Sequence, residues 1–535
     1  MPQFALRQSG ARPPLLCLPD EILDEIASEL DLHEDLINFA LASPPCADIV
    51  IPRHTQYRII RVRNTGFQLW AHLARRADLA RNIREVHMCE RHNYTAPDRM
   101  PTTLIDPQLD RAQYPEPDRV RNICEALSHM KDLRVFTWCW NTMGPQQRSK
   151  PTLLSAHEDA ILDIVRQKPN VKHLGLSGRF ANHVQSSSID LNSISYPLWN
   201  VSNLTTLCLL GDAWVKPGNA AHVSRMFALS PGLEYLEIPL EFHNLAKCRF
   251  PRLKKLKLSL QSGATSSIDE SRARFLENHP TIEELTWFPI GIPNLAPGSL
   301  PILKRLRTSL QVVIALDQLP QDRGIQDSAM RSAQNFSVMN IHEVEKLGDQ
   351  VSTPPPDLPV LRPLEYLDVR SVDAQTLASF KTFDRMSLRR LRLHMLGDLH
   401  SIHQLAEFFP NITWLSLPAV HLPKDAIHPA NVKLEEWFSI LSLFPNLEVF
   451  RGRGLWTAVD SKKEKMHMAI MQLVQLCPKL RELDHSDFYE KRFAWKRIAI
   501  IREGEFGEMV RYEVRKPPAK WVSNSSDYLF SKPRC

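Results

Sequence analysis

The nucleophiles, bases and metal ligands of this chain stand at spacings that familiar catalytic chemistry does not use. Ser177 comes nearest to a nucleophile, but Gly175-Leu176-Ser177-Gly178 is one residue out of register for the turn that lifts a serine off a strand. His342-Glu343 opens only HEVE, without the second histidine that a zinc site on a helix needs. His33, His54 and His173 do not pair at metal-ligand spacing. Nine cysteines include no CxxC pair, which fits reduced thiols rather than a zinc module or a disulfide framework. No glycine-rich phosphate loop occurs. The expectation is a protein that is not an enzyme and that has no metal or cofactor. Its chemistry would be recognition.

Recognition needs surfaces, and the elements that carry them are legible. With 535 residues, 43% of them hydrophobic, the chain can bury a large core. A net charge of +6 is a mild excess at this size, so neither nucleic acid nor a membrane is expected as a partner. No apolar run has the length of a signal peptide or a membrane span, so a cytoplasmic and/or nuclear location is expected.

Residues 1–14 carry no periodicity and read as a loose tail. After them, Pro19 suits a first helical turn, and Asp20 and Glu21 complement its dipole. Ile22, Leu23, Ile26 and Leu30 mark one helical face. A second helix carries Leu36, Ile37, Ala40 and Leu41, and Ser43-Pro44-Pro45 ends it. A short third helix holds Cys46, Ile49 and Val50. Three such helices form a marginal core that a partner normally completes. Leu16, Leu18 and Pro19 precede the first helix and belong to the apolar excess.

These residues resemble the F-box family. The matching pattern is Leu18-Pro19-x-Glu21-Ile22-Leu23-x-x-Ile26-x-x-x-Leu30, then Asp35-Leu36 and Ala40-Leu41-x-Ser43. The ending Tyr57-Arg58-x-Ile60-x-Val62 is similar to the fungal form. The chain departs from many relatives in lacking a tryptophan in the third helix, where Cys46 or Ile49 would take its space. The resemblance implies an F-box over 15–62 that binds a Skp-family adaptor, and through it a cullin–RING ubiquitin ligase. The contact residues it implies are Leu16, Leu18, Pro19, Glu21, Ile22, Leu23, Ile26, Leu30 and Leu36. A plain helical cap on the repeat domain is the alternative.

From Ile83 onward a pattern of apolar-x-x-apolar-x-apolar recurs in NIREVHM, DLRVFTW, NVKHLGL, NLTTLCL, GLEYLEI, RLKKLKL, TIEELTW, ILKRLRT, PLEYLDV, SLRRLRL, NITWLSL, NLEVFRG and KLRELDH. Asn often precedes the first apolar position, and helical segments such as HEDAILDIVRQ and IHQLAEFF lie upstream. A helix, a proline stop and a short strand make a repeating β/α unit. The array over 63–485 resembles irregular leucine-rich repeats, without the Asn or Cys that normally follows the strand. The fold class expected is therefore an α/β repeat: a three-helix F-box, then an irregular leucine-rich-repeat solenoid. Residues 320–357, with Pro354-Pro355-Pro356, read as a flexible insertion or a hidden repeat. Residues 486–517 read as a capping β-hairpin and 518–535 as a tail.

Alternation along each strand turns every second side chain to the open, concave side. Lys255, Lys257, Arg305, Arg307, Arg390 and Arg392 fall there, with Tyr366 and Trp414 among them and Glu237, Glu284 and Asp368 between. Arginine and aromatic side chains are common interface anchors, so these residues are the expected site for a partly acidic protein substrate. The function expected is a substrate-recognition subunit of a ubiquitin ligase. The alternative is a repeat scaffold with no ligase role.

Overall fold

The structure is a computed structural model, and it describes residues 18–30, 33–51, 53–62, 67–89, 116–139, 155–178, 180, 196–259, 267–291, 293–317, 361–370, 382–394, 400–417, 433–459, 463–485, 496–503 and 509–515. Leu16, the segments 1–14 and 518–535, and the expected insertion 320–357 lie outside these residues. The chain divides into two compact units, one running to Ser230 and the other from Pro231 to Lys520. The repeat pattern carries no signal for that division.

The first unit opens with helices α1 (Asp20–Glu29), α2 (His33–Ala42) and α3 (Pro44–Val50). Pro19 stands just before α1, and its carbonyl accepts from the backbone N–H of Ile22 at 3.0 Å and Leu23 at 3.1 Å. Ser43-Pro44-Pro45 ends α2 and also starts α3. The Ser43 hydroxyl accepts from the Cys46 N–H at 3.3 Å, and a proline costs nothing in a first turn. Leu23, Ala27, Leu36, Ala40, Ile49 and Val50 form the shared core, flanked by Leu30, Phe39 and Ala47. Helix α4 (Arg53–Tyr57) then leads to strand β1 (Ile59–Val62).

Strands β2 (Glu85–Cys89), β3 (Val135–Cys139), β4 (His173–Ser177) and β5 (Thr206–Leu210) continue the first unit, parallel and in chain order. The second unit has the same plan. Its strands are β6 (Tyr235–Pro239), β7 (Lys255–Ser259), β8 (Glu284–Trp287), β9 (Arg305–Thr308), β10 (Tyr366–Val369), β11 (Arg390–Leu393), β12 (Trp414–Leu417), β13 (Val449–Gly452) and β14 (Glu482–Asp484). They pair in parallel, each with the next. Each motif copy read from the sequence ends on one of β2–β14. Helices such as Ser155–Arg166, Ser267–Glu277, His400–Phe408 and Lys463–Leu476 lie upstream of their strands. β15 (Arg497–Glu503) and β16 (Met509–Arg515) are antiparallel, the first paired to β14.

The Asn before the strand has a structural task. Asn411 Nδ2 donates to the Met386 carbonyl at 3.1 Å, and Asn446 Nδ2 to the Pro410 carbonyl at 3.4 Å. Asn170 Nδ2 donates to the Asp132 carboxylate at 3.1 Å. Each bond joins one turn to the equivalent turn of the preceding repeat. Beneath them a backbone ladder runs through the residue ahead of each strand, as in Glu283 N to Lys254 O and Lys304 N to Glu283 O.

Alternation in the second unit follows the sequence. Leu256, Leu258, Leu285, Leu306, Leu367, Leu391 and Leu415 are buried, and their strand neighbours point to the opposite face. Removing one such leucine to alanine costs about 2–5 kcal/mol. The expectation of one open face along the whole array fails in the first unit. Every residue of β3 and β4 is buried. Val135, Thr137, Gly175 and Cys208 there are small or apolar, where the second unit carries charge. Ser177 lies in β4 and is buried. Gly178, the next residue, sits against Gly211 (φ +131°), where a Cβ would stand 2.4 Å from the Gly178 carbonyl oxygen. Only glycine fits that approach.

His173 is 3% exposed, and neither ring nitrogen has a hydrogen-bond partner. Burial, with a smaller contribution from the nearby His87 ring, drives its pKa down to about 3. The unfolded chain protonates this group near the ordinary 6.5. Between those values the unfolded state binds the extra proton, so stability is present above pH 6.5 and is lost as pH falls. The expected slope is about 1.4 kcal/mol per pH unit from this residue. Urea titrations at pH 7 and pH 5 on the protein and on His173→Leu check it. His54, His72, His87, His222 and His279 are shifted in the same direction by burial, so the variant should lose only the share that belongs to His173, and an unchanged difference between the two pH values would remove His173 as a contributor.

Candidate protein-interaction surfaces

The first candidate surface belongs to α1–α3. Leu23 (1% exposed) and Leu36 (0%) are in the core of the module, so they hold its helices together instead of facing outward. This corrects the sequence reading, which placed both among the contact residues. Their burial follows from helical phase, since Leu23 and Ala27, and Leu36 and Ala40, sit four residues apart. Ile26 and Leu30 are half-buried, while Leu18, Pro19 and Glu21 are exposed. Ile22 is exposed at 47%, Leu41 at 78% and Ile51 at 49%, with Ile37 at 36%. Sequence reasoning placed Ile37 and Leu41 on a helix face but missed them as surface residues. The signal was available: they come one position after Leu36 and Ala40, a rotation of about 100°.

Polar contacts fix this module to the next elements of the chain. The Arg58 guanidinium is buried and donates to the carbonyls of Ala27, Ser28 and Leu30, closing the C-terminal end of α1. Asp24 accepts from Arg81 at 2.6 Å and pairs with His54 Nε2 at 2.9 Å. Burial holds the His54 pKa below its ordinary value, although the Asp24 hydrogen bond opposes that shift. Cys46 and Ile49 are both buried, at the positions expected to stand in for the missing tryptophan.

The second surface is the face of β6–β14 opposite the buried leucines. Zero-stagger register aligns Lys255, Glu284, Arg305, Tyr366, Arg390 and Trp414 in one row. A parallel row holds Glu237, Lys257, Thr286, Arg307, Asp368, Arg392 and Ser416. The two rows differ in kind. In the second, Lys257 pairs with Glu237 at 3.0 Å, and the Glu237 side chain is 1% exposed. Asp368, also 1% exposed, meets Arg307 at 3.3 Å, Arg392 at 3.9 Å and His394 Nε2 at 2.6 Å. The Tyr366 hydroxyl donates to Asp368 at 3.2 Å. Burial alone would push the Asp368 carboxyl up, but the His394 hydrogen bond and the two arginines outweigh it and hold it below its ordinary range.

The first row is open. The Lys255 and Arg305 side chains are about half exposed and share Glu284 at 2.9 and 3.2 Å. Arg390 lies over the Trp414 ring, 5.8 Å from its centroid. The sequence groups these six cations by strand, with Lys255, Lys257, Arg305 and Arg307 acting together and Arg390 and Arg392 as a second contact. The structure divides them, because Lys257, Arg307 and Arg392 compensate buried carboxylates while Lys255, Arg305 and Arg390 reach solvent. Among the described residues no cluster of His, Cys, Asp and Glu could hold a metal, and no helix is long and apolar enough to cross a membrane.

No family model matches this chain, and no curated protein matches it. Among solved structures, a chain of the yeast Rad7 and Elc1 complex aligns over 81% of this chain and 88% of its own length, at 14% identity and a TM-score of 0.34.

Proposed function

We propose that this chain is the substrate-recognition subunit of an SCF-type cullin–RING ubiquitin ligase. Its residues 15–62 act as a fungal-type F-box that docks a Skp-family adaptor, and its repeats hold a protein substrate. The observation that carries this reading is the apolar set Leu18, Ile22, Ile37, Leu41 and Ile51, left exposed on a module that already has a closed core. On this reading those exposed side chains supply the adaptor contact. The F-box pattern in the sequence agrees with it residue by residue at Leu18, Pro19, Glu21 and Ile22. The chain supplies no catalytic residue on this reading. It raises the effective concentration of a substrate lysine beside a separate ubiquitin-charged enzyme, in the cytoplasm or nucleus.

The test is copurification of the full chain with a Skp-family adaptor, against the double variant Leu18→Ala, Pro19→Ala. Both residues are exposed, so the variant should fold normally and lose the adaptor. Equal recovery of adaptor by both proteins, or none by either, would remove the F-box assignment.

A further inference from the structure

We propose that the row Lys255, Arg305 and Arg390 binds an acidic peptide segment in the polyproline-II conformation, lying across the strands with one anionic side chain at every third residue. This rests on the reading of the β6–β14 face as the substrate surface, and it names the kind of segment that surface takes.

Strand pairing sets the spacing of these cations. Lys255, Arg305 and Arg390 occupy the same register position on β7, β9 and β11. Successive strands lie about 4.8 Å apart, so successive cations lie roughly 9.6 Å apart across the sheet. Polyproline II has three residues per turn and a rise of about 3.1 Å, so its side chains return to one face every ~9.3 Å. The two periods agree to within a few tenths of an ångström per step. A β-strand repeats one face at about 6.8 Å and an α-helix at about 5.4 Å, and neither stays in phase with the row.

The residues between the cations favour the same occupant. Glu284 stands between Lys255 and Arg305, Tyr366 between Arg305 and Arg390, and Trp414 after Arg390. A ligand with anions at every residue would meet the Glu284 carboxylate. A segment with an anion only at every third residue places neutral residues there. Proline is the natural filler, since Tyr366 and Trp414 offer half-buried ring surface of the sort that receives proline-rich ligands. A nucleic acid strand fits less well for the same reason: its unbroken phosphates have no gap for Glu284, and the chain's +6 charge is modest. The second row adds rigidity. Lys257, Arg307 and Arg392 are tied to Glu237 and Asp368, which holds the strands that present the open cations.

The experiment uses the full chain and labelled proline–alanine peptides carrying equal numbers of glutamates, spaced every second, third or fourth residue, with a phosphoserine version of the three-residue spacing. Binding is read by fluorescence anisotropy at low and high salt. The three-residue spacing should bind about tenfold more tightly than the others, and more weakly as salt rises. Arg305→Ala with Arg390→Ala should erase the preference, and Lys254→Ala, off the row, should keep it. Tighter binding of the phosphoserine peptide assigns the anion as phosphate within the same proposal. Equal affinity at all spacings, indifference to Arg305 and Arg390, or displacement by an unstructured oligonucleotide as readily as by the peptide overturns it. Each variant is also checked for adaptor copurification. Equal affinity at all spacings with the adaptor retained overturns this proposal alone, whereas failure of the unmodified chain to retain adaptor overturns the ligase reading.

Discussion

Placing aspartate at Ile22, Leu41 and Ile51 together is expected to weaken binding of a Skp-family adaptor at least about a thousandfold, with little change in the stability of the chain. The three side chains are exposed, so in the free protein the substitutions move polar atoms into water and leave the core of Leu23, Ala27, Leu36, Ala40, Ile49 and Val50 intact. Surface changes of this kind usually alter stability by within about 0.5 kcal/mol each. In a complex the same positions would be desolvated, and a buried unpaired carboxylate costs several kcal/mol. A thousandfold loss needs only about 4 kcal/mol from the three. Calorimetric titration and thermal melting separate the two effects. A triple variant that melts normally and still binds the adaptor within a few fold would place the docking surface elsewhere. Leu36→Asp is the contrasting variant: it should unfold the three helices, because Leu36 has no exposure.

Reversal of Arg307 to glutamate is expected to destabilise the second unit by about 3–5 kcal/mol, while Arg305→Glu, two residues earlier on the same strand, changes stability by less than about 1 kcal/mol. Arg307 faces Asp368, whose side chain is 1% exposed, and the reversal sets a second carboxylate against one that is buried. Arg392 and His394 remain, but Arg392 lies 3.9 Å from Asp368 and cannot compensate two negative charges. Arg305 instead pairs with a part-exposed Glu284 and reaches solvent. Urea denaturation at pH 7 reads the difference, and similar midpoints for the two variants would show that the rows are not distinct. The contrast also determines how substrate capture should be probed. Reversing Lys255, Lys257, Arg305 and Arg307 together would confound recognition with unfolding, whereas Lys255, Arg305 and Arg390 can be changed without exposing a buried carboxylate.

The strands were legible because each is written locally, as three apolar residues at fixed offsets behind an Asn or Pro turn. The Asn411 and Asn446 bonds show why the turn signal recurs: it joins repeats, so every repeat needs one. The pairing of charges was not legible. Arg307 meets Asp368 across β9 and β10, which are separated in the chain by a long segment, and only the zero-stagger register brings them together. The burial of His173 was also hidden, since a strand written HLGLS gives no sign of which face is covered. In the N-terminal module the helices were legible from spacing, but the division of their apolar residues was not. Leu36 and Ile37 are adjacent and similar in kind; helical phase separates them by about 100°, but which of the two directions is the core is set by packing against the other helices.

The central claim is that α1–α3 form a docking module for a Skp-family adaptor. Hydrogen exchange on the full chain, alone and with a saturating amount of purified adaptor, tests it most directly. Slowed exchange over residues 18–51 and unchanged exchange over strands β6–β14 are expected. Unchanged exchange over residues 18–51 at saturation, or protection confined to β6–β14, would contradict it.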